Sequence, residues 1–320
     1  MAVGSRPLVP SRLAPAGLVQ RAHATTRAPR STLAAYVALT KPRIIELLLI
    51  TTVPTMVLAA RGWPPLGLIV VTLIGGTLAA GGANAVNMYV DRDIDAIMER
   101  TRNRPLVTGA IEPRHALAFA LGLEVLAFVV LWAGANLLAA VLALAAAAFY
   151  VGVYTLWLKR TSSQNIVVGG AAGAVPVLVG WAAVTGGLAW APIVLFVVMF
   201  AWTPPHFWAL AIRYADDYRA AGVPMLPAVA PLRRAAGQML AYTVLLVAAT
   251  LVLAPVADLG WIYTVAAVAT GAGFLVALVL LARDPTAARS MKVFTYSITY
   301  VTVLFAALMI DVLVAGPVPG

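Results

Sequence analysis

Residues 67–95 read GLIVVTLIGGTLAAGGANAVNMYVDRDID. The first part, 67–90, is a long uncharged run, and three acids then follow within five positions. About 20 apolar residues suffice to cross the hydrocarbon core of a bilayer as a helix. The run does not alternate as a barrel strand must, so a helix is the reading. Working outward, eight further stretches repeat the pattern, at 44–61, 115–134, 136–157, 164–184, 192–212, 237–257, 260–282 and 293–315. Between them lie short separators such as Gly62–Pro65, Gly186–Gly187 and Asp284–Pro285. The prediction is an all-α polytopic membrane protein with about nine transmembrane helices.

Composition agrees. Of 320 residues, 62% are apolar and 11% charged, and the mean hydropathy is +0.94. A soluble domain carries roughly 25% charged residues. The absence of cysteine removes disulfide frameworks, thiolate zinc sites and cysteine nucleophiles. His23, His115 and His206 are too few and scattered for a histidine-rich metal site. Any bound metal must therefore be hard and oxygen-ligated.

The net charge of +10 is distributed, not pooled. Of the 22 basic residues, all but Arg61 fall on alternate connections or the N-terminal segment. That asymmetry places those loops and the N-terminus inside and the C-terminus outside. It also explains the high pI without nucleic acid as a partner. Residues 1–35 are basic and free of acid, with no apolar core of a secretory signal. They read as a disordered cytoplasmic arm of a bacterial protein, with a mitochondrial presequence as the alternative, followed by one membrane domain over 36–320. The location is then the cell membrane with the acidic motif cytoplasmic, or else the mitochondrial inner membrane with the motif facing the matrix.

Chemistry concentrates at the end of the second stretch. Asn87, Asp91 and Asp95 recur every four residues. On a helix this keeps them on one face, rising about 6 Å per step. One Mg²⁺ with ligands near 2.1 Å cannot touch all three, but a row of ions bridging an oligophosphate can. Arg92, Arg100, Arg102 and Arg104 lie close by, and guanidinium forks suit phosphate oxygens. Asp93 is off that face and reads as a solvated salt-bridge partner. A second loop carries Asp216 and Asp217 before Ala221-Gly222-Val223-Pro224-Met225-Leu226-Pro227. Its acids either complete a cation cluster from across the bundle or are a helix-end pair before a loop. Glu46, Glu124 and Asp311 are costly in hydrocarbon, yet helix-to-helix hydrogen bonds explain them as well as chemistry does.

Further motifs join these. They are Leu39–Arg43, Met98–Pro105, Tyr154–Arg160 with Gln164-Asn165, and Trp202-Thr203-Pro204-Pro205-His206-Phe207-Trp208. Together they resemble the UbiA superfamily of intramembrane prenyltransferases, over nearly all of Tyr36 to Asp311, and within it the branch that farnesylates haem. The resemblance implies nine helices around a central cavity open to lipid. It implies Mg²⁺, farnesyl diphosphate and haem B as occupants. Haem O would be the product, and haem A synthase or oxidase-assembly proteins the potential partners. Carried onto this chain, Asn87, Asp91, Asp95 and Asp217 hold the metal. Lys41, Arg102, Tyr154, Lys159 and His206 contact substrates, and Asp91, Asp95, Lys159 and His206 carry the catalysis. Two departures stand out. Position 221, four after Asp217, is Ala where the superfamily has a second acid. The superfamily's Y-x-x-x-K appears as Tyr154 to Lys159, one residue longer. The remaining readings are a UbiA-type enzyme with another aromatic or quinone-precursor acceptor, a transporter, or a structural oxidase-assembly protein.

Overall fold

A computed structural model describes residues 31–315, apart from the side chains at 43, 44 and 46–49. The predicted N-terminal arm therefore lies outside the described residues up to position 30, as does the side chain of Glu46. The boundary expected at residue 35 falls inside the first helix, α1 (Thr32–Thr40), which begins where the Ser31 hydroxyl accepts the Ala34 N–H. The chain then runs through α2 (Pro42–Ala60), α3 (Leu66–Val90), α4 (Arg92–Ile97), α5 (Pro113–Gly134) and α6 (Leu137–Phe149). A π-helical stretch (Tyr150–Leu158) and α7 (Lys159–Thr161) continue α6. The second half holds α8 (Asn165–Thr185), α9 (Trp190–Arg213), α10 (Ala215–Ala220) and α11 (Leu226–Val229). It closes with α12 (Leu232–Val256), α13 (Trp261–Arg283) and α14 (Ala287–Ala315).

The chain is all-helical, with no strand among the described residues. Eight helices there are long and apolar enough to cross a membrane: α3, α5, the continuous Leu137–Thr161, α8, α9, α12, α13 and α14. The predicted stretch at 44–61 corresponds to α2, whose described apolar part, Ile50–Ala60, is shorter. The most enclosed spans are α8 and α9, because α9 packs against α8, α12 and α14 while α8 also packs against α2 and α6. Outer spans such as α5 turn leucine, valine and tryptophan toward the lipid, as expected where the solvent is hydrocarbon.

Helix α2 separates two ends of the bundle. Its 19 residues rise about 28 Å. Lys41 sits at one end and Arg61 at the other, both with left-handed backbone (φ 53° and 51°). The Arg61 guanidinium donates to the Ala257 carbonyl at 2.8 Å and approaches Asp258 at 3.4 Å. This clamps the α2–α3 connection to the α12–α13 connection. Asp311 belongs to that same end. Its carboxylate accepts the backbone N–H groups of Gly260 (2.5 Å) and Tyr263 (3.2 Å). It thereby caps the start of α13 from another helix, satisfying orphan donors and the positive end of the helix dipole. The acid expected to be costly in hydrocarbon is thus accounted for structurally. Glu124 lies against α3, so close that a Cβ on Gly82 would come within 2.6 Å of its Oε1.

Candidate active site

The opposite end gathers the predicted residues. Asn87, Asp91 and Asp95 are 2%, 0% and 1% exposed, so the motif is packed inside the protein. Helix α3 ends at Asp91 (φ −84°, ψ 2°) and α4 resumes at once, so Asp95 N still donates to the Asp91 carbonyl at 2.8 Å. The four-residue spacing survives the small break.

Cations from three other segments close on this face. Lys41, at the α1–α2 corner, donates to Asn87 Oδ1 at 2.6 Å. That corner is held by Asn84, whose amide donates to the Thr40 carbonyl at 3.2 Å. Asn87 Nδ2 in turn donates to Asp91 Oδ2 at 2.7 Å and to the buried Thr155 hydroxyl at 3.1 Å. Lys159 donates to the same Asp91 Oδ2 from the far side. Arg104 Nη1 meets Asp95 Oδ2 at 2.5 Å, and Thr101 Oγ1 bonds the Asp95 carbonyl at 3.0 Å. Burial, then the neighbouring Arg104 and Lys159, hold the Lys41 ammonium well below the usual lysine range.

The five-residue interval from Tyr154 to Lys159 has a backbone explanation. The intervening turn is π-helical, and the Lys159 N–H bonds the Tyr154 carbonyl. Five residues therefore complete one turn, as four nearly do in an α-helix. Lys159 reaches Asp91, while the Tyr154 ring stacks on Tyr150 (5.2 Å, 25°). Gly169 on α8 makes room for Tyr154, since a Cβ there would stand 2.4 Å from its Cδ2.

Other predicted residues sit farther out. Arg102 pairs with Glu99 at 2.5 Å, both largely exposed. Arg92 packs on Tyr89 (4.7 Å) and donates to the Tyr89 carbonyl. Asp93 is exposed and forked by Arg160 at 2.7 Å, whose hydrogen bonds hold its carboxyl at about 2. Asp217 accepts the Arg100 N–H at 3.4 Å. With Glu99, Arg100, Arg213, Tyr214 and Asp216 it lines a cavity of about 260 Å³ between the two loops. His206 is buried in α9 among Trp202, Phe207 and Phe294. Tyr150 carried no signal in the sequence, where a tyrosine inside an apolar run reads as packing, and Thr101 and Thr155 lay within quoted motifs without a role of their own.

A hard divalent cation fits this donor set. Asp91 Oδ1 is buried without a hydrogen-bond partner, and its nearest ion-pair partner, Arg160 Nη2, is 3.9 Å away. Such an orphaned oxygen calls for a ligand. The acids are not already clustered as a metal cage, since no group of three His, Asp or Glu side chains able to hold an ion occurs among the described residues.

Residues 48–308 match the UbiA prenyltransferase family. The chain belongs to that family. Its relatives include the protoheme IX farnesyltransferase of Paenarthrobacter aurescens (strain TC1), 53% identical over 291 residues, which are 89% of this chain and 91% of that protein. Protoheme IX farnesyltransferase 1 of Saccharopolyspora erythraea is 53% identical over 307 residues, 95% of this chain and 98% of that one. Solved structures share the UbiA fold. A digeranylgeranylglyceryl phosphate synthase aligns with a TM-score of 0.74 at 18% identity, covering 88% of this chain and 98% of that chain. A UbiA homolog from Archaeoglobus fulgidus bound to GPP and Mg²⁺ aligns at 0.60 and 16% identity, over 86% and 99%.

Proposed function

We propose that this chain is a haem farnesyltransferase, joining the farnesyl group of farnesyl diphosphate to a vinyl group of haem B. The C1–O bond of the diphosphate breaks, and C1 bonds the terminal vinyl carbon. Water oxygen adds to the inner vinyl carbon and releases a proton. The products are haem O, diphosphate and H⁺. The observation that carries the reading is the buried Asp91–Asp95 face ringed by Lys41, Lys159 and Arg104, which suits a metal-bridged diphosphate and little else. The acceptor rests on relatives at 53% identity named as farnesyltransferases of protoheme IX.

Asp91 and Asp95, with Asn87 and Asp217, would hold Mg²⁺ through hard oxygens. Bound there, the ion neutralises charge on the leaving diphosphate. Lys159, Lys41 and Arg104 are preplaced donors for the same oxygens, and such preorganised charge accelerates departure. Stacked Tyr150 and Tyr154 offer aromatic faces to the allylic cation, each worth about 0.5–2 kcal/mol. The apolar bundle keeps water from that cation until the vinyl group attacks. The bacterial relatives support a cell membrane, and the basic asymmetry of the loops supports this end as its cytoplasmic side. Haem A synthase or oxidase-assembly proteins would take up the product.

The test incubates purified protein in detergent with haem B, farnesyl diphosphate and Mg²⁺ and identifies the haem by mass spectrometry. Farnesylated haem that disappears with EDTA or Asp91→Ala is expected. A folded sample that prenylates a phenolic acceptor but not haem would overturn the acceptor.

A further inference from the structure

His206 lies in the Trp-Thr-Pro-Pro-His-Phe-Trp run, and the mechanism above gives it no task. Prolines 204 and 205 remove two backbone donors from α9. The simplest expectation for a histidine there is a bond to a carbonyl they free. His206 bonds a different helix instead. His206 Nδ1 lies 2.7 Å from the Ser297 hydroxyl on α14, and that hydroxyl donates to the Phe294 carbonyl at 2.6 Å.

A serine hydroxyl has a single proton. With that proton on the Phe294 carbonyl, the short Nδ1···Oγ contact requires Nδ1 to carry the ring's hydrogen. Nε2 then holds the lone pair, and it takes no hydrogen bond from any described residue. Ser297 also fixes the ring's neighbour. Its backbone carbonyl accepts the Trp202 indole N–H at 2.8 Å, and Trp202 stacks on the imidazole at 4.1 Å and 20°. Phe294 stacks on it at 4.7 Å and 29°. Ser297 is fully buried and His206 is 6% exposed, and the stacked Trp202 and Phe294 rings hold the plane of the imidazole. An imidazole whose far N–H is held by an oxygen acceptor, with the other nitrogen bare, is the usual form of a metal-ligating histidine. An axial histidine is among the common protein ligands of haem iron.

The geometry points to Ser297 as a positioning residue: by taking the Nδ1–H of His206 it presents Nε2 as an axial ligand to the iron of the porphyrin acceptor. The inference rests on the haem reading above. His206 precedes Arg213, the end of α9 beside the acidic loops, by seven residues or about 10 Å. An iron anchored at His206 would therefore sit on the helix that leads to the acidic end of the bundle.

The experiment uses the full-length protein in detergent, uniformly labelled with ¹⁵N-histidine, with haem B added. Pulsed EPR of the ferric form reports directly whether a histidine nitrogen is bound to iron, and His206→Ala assigns it. Steady-state kinetics then compare wild type, Ser297→Ala and Ser297→Thr with haem B and with iron-free protoporphyrin IX, which has the same vinyl groups. In the wild type a ¹⁵N coupling should appear, and His206→Ala should abolish it. Ser297→Ala should raise KM for haem about tenfold, the usual loss when a metal ligand's outer partner is removed. It should leave KM for farnesyl diphosphate unchanged, and Ser297→Thr should restore haem binding. Activity on protoporphyrin, if present, should be indifferent to Ser297. No histidine coupling in the wild type would overturn the inference without any variant needing to fold. So would a Ser297→Ala protein with unaltered coupling and haem KM. Haem O formed in either of those cases leaves the proposed function standing. A wild type that binds haem through His206 but never farnesylates it sinks the function alone.

Discussion

Lys159 and Asp91 form an ion pair across the bundle, joining the π-helical end of one span to the last residue of another. Asp91 is fully buried and Lys159 nearly so, which makes the pair costly to break. Removing one partner of a buried pair leaves an uncompensated charge, at about 3–5 kcal/mol. Lys159→Met should lower the denaturation midpoint in detergent and abolish turnover. The double variant Lys159→Met with Asp91→Leu should recover much of the stability and none of the activity. A single variant as stable as wild type would show that the pair is not closed in solution.

Three cations already occupy the site's oxygens, Lys41 on Asn87, Lys159 on Asp91 and Arg104 on Asp95. A divalent ion alone must compete with all three, whereas diphosphate gives them a new partner. Calorimetric titration should find Mg²⁺ binding at least about tenfold tighter with inorganic diphosphate present, a coupling of about 1.4 kcal/mol. Equal affinities would contradict the arrangement.

Arg104 and Arg102 should differ sharply. Arg104 neutralises the buried Asp95, while Arg102 pairs with Glu99 in solvent. Exposed pairs contribute about 0–1 kcal/mol. Arg102→Ala should change stability and KM for farnesyl diphosphate little, and Arg104→Ala should raise that KM and destabilise the protein. The reverse order would move the diphosphate toward the exposed loop.

Tyr154 and Gly169 are matched in volume. Gly169→Ala places a methyl 2.4 Å from the Tyr154 ring, and overpacking of this kind costs about 1–3 kcal/mol. Thermal denaturation should show that loss, and in a Tyr154→Ala background it should largely vanish. An additive double variant would mean the two do not touch.

Asp311→Ala should destabilise the other end of the bundle. The carboxylate accepts two backbone N–H groups at the start of α13, and hydrogen bonds to a charged group contribute about 1.5–3 kcal/mol each. Both KM values should stay unchanged in the fraction that remains folded. A change in either would tie Asp311 to the chemistry.

Much of this protein was legible in one dimension. Long uncharged runs in a chain of mean hydropathy +0.94 determine helices in lipid, because an unpaired backbone in hydrocarbon is prohibitive. The four-residue recurrence of Asn87, Asp91 and Asp95 determines a common face, because helical pitch is local. Which partners meet that face was decided only in three dimensions. Arg104 and Arg102 are two residues apart and chemically alike, yet only Arg104 turns toward Asp95. The interval from Tyr154 to Lys159 gains its meaning from a π-helical turn that hydropathy does not register. Asp311 caps α13 through the N–H of Tyr263, 48 residues before it in the chain, and His206 meets Ser297 across 91 residues. Such contacts depend on how whole spans pack, and the tertiary structure alone sets that packing.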